Sequence, residues 1–241
     1  MRTLSLLSII ILSELASFGQ TERQYISLAV GPSFTLDDFG RTDISDSTSG
    51  WAKTGVALEF TYAYRITHNF GIQLQVNYSG NKFDNFAYRD ALDAAYSLDP
   101  NSPDTAFVVE SASNWSSGGM LFGPYLRFPL SESLSWDIRA TAGFYGASSP
   151  DITIKANTTS GGKLEDSFHK GGKGYAFAYS VGTGFKYALS KYYLMLFANY
   201  YKTSVQIKDV SGWDWNTEPY ETSFKQDIGY ISLTFGVGYF F

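Results

Sequence analysis

The chain has 241 residues, with 23 Gly, 18 Tyr, 19 Phe, no Cys and a formal charge of −5. Without Cys, disulfide scaffolds, thiolate metal sites and Cys nucleophiles are excluded, and the acidic balance argues against a nucleic-acid partner, which needs clustered Lys and Arg. The length allows one large all-β domain or two small ones, and a Gly- and aromatic-rich composition suits barrels and propellers better than helical folds.

Residues 1–19 read as a signal peptide. Arg2 supplies a positive start, residues 4–12 form an apolar stretch too short to span a bilayer, and Ser17 and Gly19 are small residues spaced as at a cleavage site. Gln20 is then the expected mature N-terminus, leaving residues 20–241 as one domain. Past residue 20 nothing approaches the roughly 18 consecutive apolar residues of a membrane helix. An exported chain of this kind is secreted, periplasmic, or embedded in a membrane as a closed barrel.

The mature part alternates apolar and polar residues with period two, which places successive side chains on opposite faces of a strand. In chain order, one face carries Ile26, Leu28, Val30, Phe34 and Leu36; then Val56, Leu58, Phe60, Tyr62, Tyr64 and Ile66; then Ile72, Leu74, Val76 and Tyr78. Next come Met120, Phe122, Leu126 and Phe128, followed by Leu134, Trp136, Ile138, Ala140 and Phe144. The sixth segment shows Tyr175, Phe177, Tyr179, Val181, Phe185 and Tyr187. Residues 192–205 form a weakly patterned seventh, with Tyr, Leu and Met on both faces, and the eighth carries Ile231, Leu233, Phe235, Val237, Tyr239 and Phe241. Pro32 and Pro124 fall inside strands, where a missing N–H predicts a bulge or a lost ladder bond.

Short connections near 67–70, 131–133 and 190–191 alternate with long ones near 37–53, 82–115, 148–173 and 208–226. Short periplasmic turns opposite long extracellular loops are the asymmetry of outer-membrane barrels. A two-residue loop at 190–191 predicts Tyr187 opposite Leu194 and Phe185 opposite Leu196 outside, with Lys186 opposite Met195, Gly184 opposite Phe197 and Gly182 opposite Asn199 inside. A turn centred on Glu132 pairs Phe128 with Trp136 outside and Arg127 with Asp137 inside. The predicted fold is an eight-stranded antiparallel up-and-down transmembrane β-barrel. Its apolar face meets lipid, since in water it would exceed the patches that monomers expose. Aromatics gather at both strand ends, with Tyr64, Phe128, Trp136, Tyr187, Tyr192, Tyr239 and Phe241 below and Tyr78, Phe83, Tyr175 and Tyr200 above, like interfacial girdles.

The inner face holds Glu59, Arg65, Arg127, Asp137, Arg139 and Lys186. All but Glu59 are expected in the lower half, with Glu59 higher. A lumen salt-bridge network is expected, because unpaired burial of charge is costly; the alternative is a gated or narrow ion path. His169, near Asp166 and Ser167, makes a Ser–His–acid set conceivable, but in a Gly- and Lys-rich loop it lacks rigid support, and no enzyme activity is expected. Asp84, Asp90, Asp93, Asp99 and Asp104 show no calcium-loop spacing, no cofactor or metal is expected, and a short helix is placed near residues 90–97.

The last strand, residues 230–241, with alternating apolar residues ending in Tyr239, Phe240 and Phe241, resembles the C-terminal signature by which outer-membrane barrels reach their assembly machinery. The mature chain is similar to the OmpA/OmpX-type eight-stranded class. Its Gly-Pro strands and a signal ending in Phe-Gly-Gln resemble the PorT-like outer-membrane barrels of Bacteroidetes. The resemblance implies a bacterial outer-membrane location, outer-membrane lipid and the barrel-assembly machinery as partners, and an extracellular or envelope protein partner for the long loops. It leaves two functions open: a non-enzymatic scaffold acting through its extracellular loops, or a small porin-like pore for ions or solutes. No appended anchoring domain is expected after residue 241.

Overall fold

The computed structural model describes residues 23–96, 105–158, 163–213 and 218–241, so the signal peptide expected at residues 1–19 lies outside the described residues. In chain order the strands are β1 (Gln24–Leu36), β2 (Ala52–Arg65), β3 (Phe70–Phe83), β4 (Thr105–Ala112), β5 (Trp115–Pro129) and β6 (Leu134–Ser148). They continue with β7 (Ile152–Thr158), β8 (Lys163–Lys170), β9 (Lys173–Leu189), β10 (Tyr192–Trp213) and β11 (Pro219–Phe240). A helical turn α1 (Asp37–Gly40) follows β1, and helix α2 (Asn85–Tyr96) follows β3.

Eight strands make the wall in the order β11–β1–β2–β3–β5–β6–β9–β10, and β10 pairs back onto β11, so the sheet closes. Every pairing in it is antiparallel. Closure satisfies the backbone without a free edge, the condition for crossing hydrocarbon with strands. Both hairpin registers anticipated from the turns are present: Phe185 faces Leu196, Gly184 faces Phe197, Phe128 faces Trp136 and Arg127 faces Asp137. Ser190 takes a left-handed backbone (φ 60°), the conformation a two-residue hairpin loop requires. Gly184 has no room for a side chain, because a Cβ there would lie 2.5 Å from Cγ of the Phe197 ring.

The prolines cost ladder bonds and not register. Pairing between β1 and β11 skips Gly31 and Pro32 yet resumes in step, with Val30 opposite Phe235 and Ser33 opposite Ser232. Pairing between β5 and β6 likewise skips Gly123 and Pro124 between Phe122–Ala142 and Tyr125–Arg139. Of the two outcomes expected at these prolines, the lost bond is found and the bulge is not.

Outside, the belt is apolar. Phe144 and Tyr175 remain 81% and 82% exposed, and Phe122, Phe177, Leu28, Val56 and Phe235 join them around the barrel. Only a nonaqueous surrounding covers a band of this extent. Its upper edge is legible in β10, where outward positions change from Leu194, Leu196 and Tyr200 to Lys202, Ser204 and Gln206. The stretch from Tyr192 to Tyr200 matches the roughly 9–11 residues that a tilted strand needs to cross a bilayer. The chain is thus a transmembrane β-barrel of the bacterial outer-membrane kind, with its short turns on the periplasmic side.

Above that edge the pattern inverts. Inward positions of β10 and β11 become Val205, Ile207, Val210 and Ile228, all fully buried, and they pack with Phe39, Trp115, Tyr201 and Tyr230. The wall here stands in water, so it packs as a soluble protein does. Three of the four long connections accordingly carry regular structure. Connection 208–226 is largely the prolonged β10–β11 hairpin, 148–173 holds β7 and β8, and 82–115 holds α2 and β4. The α2 helix starts at Asn85, five positions before the expected 90, because Asp84 caps it: Oδ1 accepts from the Ala87 N–H at 3.1 Å. Phe83, expected in the outer girdle, faces inward instead and packs against Tyr88 at 5.3 Å between ring centroids.

Gly31 tests the closeness of the wall. A Cβ there would meet the Leu233 carbonyl oxygen at 1.9 Å, and closure leaves neither strand free to retreat. We expect Gly31→Ala to lower unfolding stability in detergent by about 1–3 kcal/mol, the usual cost of overpacking, as read from urea titration. A change under about 0.5 kcal/mol would show that the strands part easily.

Candidate functional site

Two regions gather chemistry: the lumen within the membrane, and the mouth on the loop side. In the lumen, tilted strands bring Glu59 of β2 across to Arg139 of β6, strands that are not neighbours in the wall. Arg139 Nη2 donates to Glu59 Oε1 at 2.7 Å and to Oε2 at 2.8 Å. The carboxylate also accepts from Thr61, Gln75, Asn199 and Tyr201, and Arg139 Nε donates to Asn199 Oδ1 at 2.8 Å. The Arg139 guanidinium lies 4.2 Å from the Phe197 ring centroid. Both side chains are almost wholly buried, at 3% and 2% exposure, so these partners replace the water each charge gave up.

One layer lower, Lys186 Nζ sits 2.8 Å from Asp137 Oδ2 and 3.6 Å from the Tyr25 ring centroid, with Tyr125 and Tyr193 around it. Tyr25 meets Tyr125, Tyr193 and Phe240 edge to face at 5.6–6.1 Å. This aromatic floor explains the weak patterning of residues 192–205: Tyr193, Met195 and Phe197 are lumen fillers, while Leu194 and Leu196 face outward. Higher up, Tyr145 and Tyr230 share a 2.8 Å hydroxyl contact, with Asn77 donating to Tyr230. Ser33, Ser79 and Asn81 form a further polar layer above.

Of the six inner charges, the structure brings Glu59 to Arg139 and Asp137 to Lys186. Arg127, opposite Asp137 in the ladder, lies 5.8 Å over the Phe240 ring, and Arg65 ends β2 at the turn side. Glu59 thus pairs with Arg139 one layer above the Asp137–Lys186 pair. At the carboxyl end, Tyr239 packs on Tyr192 at 5.2 Å, and the Phe241 N–H donates to the Gln24 carbonyl at 3.0 Å.

The mouth is roofed by secondary structure. Strand β8 pairs with the tip of β10 through Lys170, His169 and Phe168, and carries β7 and β4 beside it. The Phe107 N–H of β4 donates to Asp93 Oδ1 of α2 at 2.8 Å, and Leu92, Phe107, Ile154 and Ala156 form a small core between them. Under this cap lies a cavity of about 320 Å³, to which all four long connections contribute. Trp51 on its wall holds φ 53°, an outlier for a bulky side chain, fixed by its N–H donating to the Arg41 carbonyl at 3.1 Å. Trp115 Nε1 donates to the Gly50 carbonyl at 2.7 Å, and Tyr88 meets Trp51 edge to face at 5.0 Å.

His169 lines this cavity from a strand, not from the irregular loop expected for it. Its Nδ1 is 2.8 Å from the Tyr220 hydroxyl, while Ser167 Oγ donates to the Trp213 carbonyl at 3.3 Å. Burial holds the imidazole below its ordinary range, opposed by the nearby Asp151 carboxylate. Asp84 and Asp93 serve α2 and β4, and Asp90 pairs with Arg89 at 2.5 Å; Asp99 and Asp104 lie outside the described residues. The sequence reasoning missed Trp51, Trp115 and Tyr220 as cavity residues. Their signal was large aromatic rings in connections otherwise rich in Gly, Ser and Asp.

No family model matches the chain, and no curated protein matches it. Among solved structures it is similar to a major outer membrane protein from Thermus thermophilus, at 12% identity over 90% of this chain and 99% of that one, with a TM-score of 0.46. It is also similar to Ail, the attachment invasion locus protein of Yersinia pestis, at 13% identity over 92% and 100%, TM-score 0.43. Neisserial surface protein A matches at 15% identity over 90% and 97%, TM-score 0.42. The architecture stands on the strand pairing itself, and these likenesses carry no residue role across.

Removing one partner of the buried pair strands the other. Arg139→Met is expected to destabilise the barrel by about 3–5 kcal/mol, whereas adding Glu59→Gln to it restores most of that loss. Urea unfolding in detergent measures both; a single variant within about 1 kcal/mol of the parent would show that the pair is wetted.

Proposed function

We propose that this chain is a non-enzymatic outer-membrane scaffold that works through its extracellular cap, with the lumen serving as a structural plug. What carries the reading is the Glu59–Arg139 pair, which joins non-adjacent strands across the lumen and is ringed by Gln75, Asn199 and Tyr201. The aromatic floor of Tyr25, Tyr125 and Tyr193 supports it from below. For the lack of catalysis, the support is that Ser167 and His169 direct their hydrogen bonds to Trp213 and Tyr220 and not to each other. The PorT-like resemblance of the Gly-Pro strands favours an envelope protein as the partner of the cap, and Phe241 at the rim fits delivery by the assembly machinery.

A second reading, a narrow ion path, has one observation in its favour. In the lower and middle lumen Ser135 Oγ, Ser180 Oγ, Thr234 Oγ1 and Arg127 Nε lack hydrogen-bond partners among the described residues, and buried polar groups of this kind usually hold water.

Planar-bilayer recordings of the purified protein separate the two. The plug predicts no large, stable single-channel steps and no solute-size-dependent swelling of liposomes; either result would replace it with the pore. Crosslinking from cysteines introduced at Phe86 and Val108, both exposed on the cap, is expected to capture a defined envelope partner in cells. Capture of none at either position would count against a protein partner.

A further inference from the structure

The cavity at the mouth has features that neither plugging the lumen nor docking a protein requires. We infer that it binds a neutral, polyhydroxylated ligand, a sugar unit of mono- or disaccharide size. This rests on the reading that the chain acts through its cap.

Three observations carry the inference. The first is size and construction: about 320 Å³, near the lower end of the roughly 300–1,000 Å³ of small-ligand pockets, built by four separate connections on a rigid wall. The second is charge. Among the described residues lining it, none is Asp, Glu, Lys or Arg, and its imidazole, His169, is kept toward its neutral form by burial. A phosphate or carboxylate would find no counter-charge in the lining, and the Asp151 carboxylate that acts on His169 lies outside it, accepting from the Gly171 N–H at 2.7 Å. The third is the division of the lining. Trp51, Tyr88 and Trp115 offer aromatic surface, while Ser47, Ser167 and Tyr220 offer hydroxyls that both donate and accept. A sugar presents the matching pair of surfaces, a C–H face to lie against rings and a rim of hydroxyls to exchange hydrogen bonds. Ser167 and Tyr220 already bond the Trp213 carbonyl and His169, and the remaining lone pairs of each hydroxyl can still accept from a sugar rim, which a purely apolar ligand cannot use.

The backbone adds support. Trp51 is held at φ 53°, where a bulky residue is strained, and Gly50 before it is pinned by its N–H donating to the Asp38 carbonyl at 2.8 Å. Strain of this sort persists where the surroundings over-determine it, and it concentrates at ligand clamps. Here it fixes the Trp51 ring in the cavity wall.

The test uses the full mature chain in detergent, with folding verified by gel migration before and after boiling. Tryptophan emission and saturation-transfer NMR are followed against N-acetylglucosamine, methyl glucoside and maltose, with glucose 6-phosphate, glucosamine and toluene as charged and apolar probes. A saturable response to at least one neutral sugar, exceeding that to the charged and apolar probes, is the expected result. Tyr220→Phe and Ser167→Ala, which keep shape and remove a hydroxyl, should each weaken binding by about fivefold to tenfold; if one fails to fold, the other decides. Comparing free maltose with a maltosyl lipid in vesicles tells a soluble sugar from a membrane-displayed one. No saturable response to any neutral sugar, stronger binding of a charged or apolar probe, or folded variants that bind like the parent would overturn the inference. Such a failure with a non-conducting lumen leaves the scaffold reading intact, whereas conduction removes the plug without touching a sugar site measured directly.

Discussion

Closure of the backbone ladder is the constraint on which everything else in this protein depends. Within hydrocarbon no N–H or C=O can be left for water to satisfy, so β10 must return to β11 and β11 must meet β1. With eight strands that closure yields an interior just wide enough for side chains. The narrowness then dictates the lumen. A charge facing inward has no bulk water to hydrate it, and so Glu59 finds Arg139 across the interior and Asp137 finds Lys186 beside it. Glycine has to stand where a ring such as Phe197 crosses a neighbouring strand. Even the prolines conform, giving up a ladder bond while the register holds.

The second organising fact is a change of solvent along single strands. In β10 the outward residues are apolar to Tyr200 and polar from Lys202, while the inward ones shift from Asn199 and Thr203 to Val205 and Ile207. Both shifts follow from one boundary. Below it lipid covers the outside and the polar residues must satisfy one another inside; above it water covers the outside and the apolar residues must pack within. The extended wall, and the small sheet and helix that it carries, form a water-side extension whose packing shelters the cavity. Strand, lumen and cap are therefore one continuous response to a gradient in surroundings.

Much of this was legible in the residues themselves. The period-two pattern, the alternation of short and long connections and the two hairpin turns sufficed for strand number, closure and facing, because lipid-exposed strands need an unbroken outer stripe and tight turns leave only one register. The inner charges were legible as a set for the same reason. Their partners were not: whether Asp137 meets Arg127 or Lys186 depends on strand tilt and on the Tyr25 ring, quantities that span non-neighbouring segments. The 208–226 stretch looked like a loop because the rule that marks membrane strands, apolar outside, stops applying once the strand leaves the membrane. Phe83 was placed outside by composition, although a bulge between Ala52 and Gly55 in the β2–β3 pairing and the approach of α2 put it within the mouth.

The sequence by itself determined the barrel that was the starting expectation here: its strands, the face each turns to lipid, and the side that bears the long connections. Local periodicity and turn chemistry are enough for that, since each strand answers to its own surroundings. Only the tertiary structure decided that Glu59 and Arg139 bridge the lumen, that β8 folds over onto β10, and that Trp51, Tyr88, Trp115, His169 and Tyr220 share one cavity. Those relations join segments far apart in the chain, and they depend on tilt, closure and the path of the cap, which no single stretch of residues encodes.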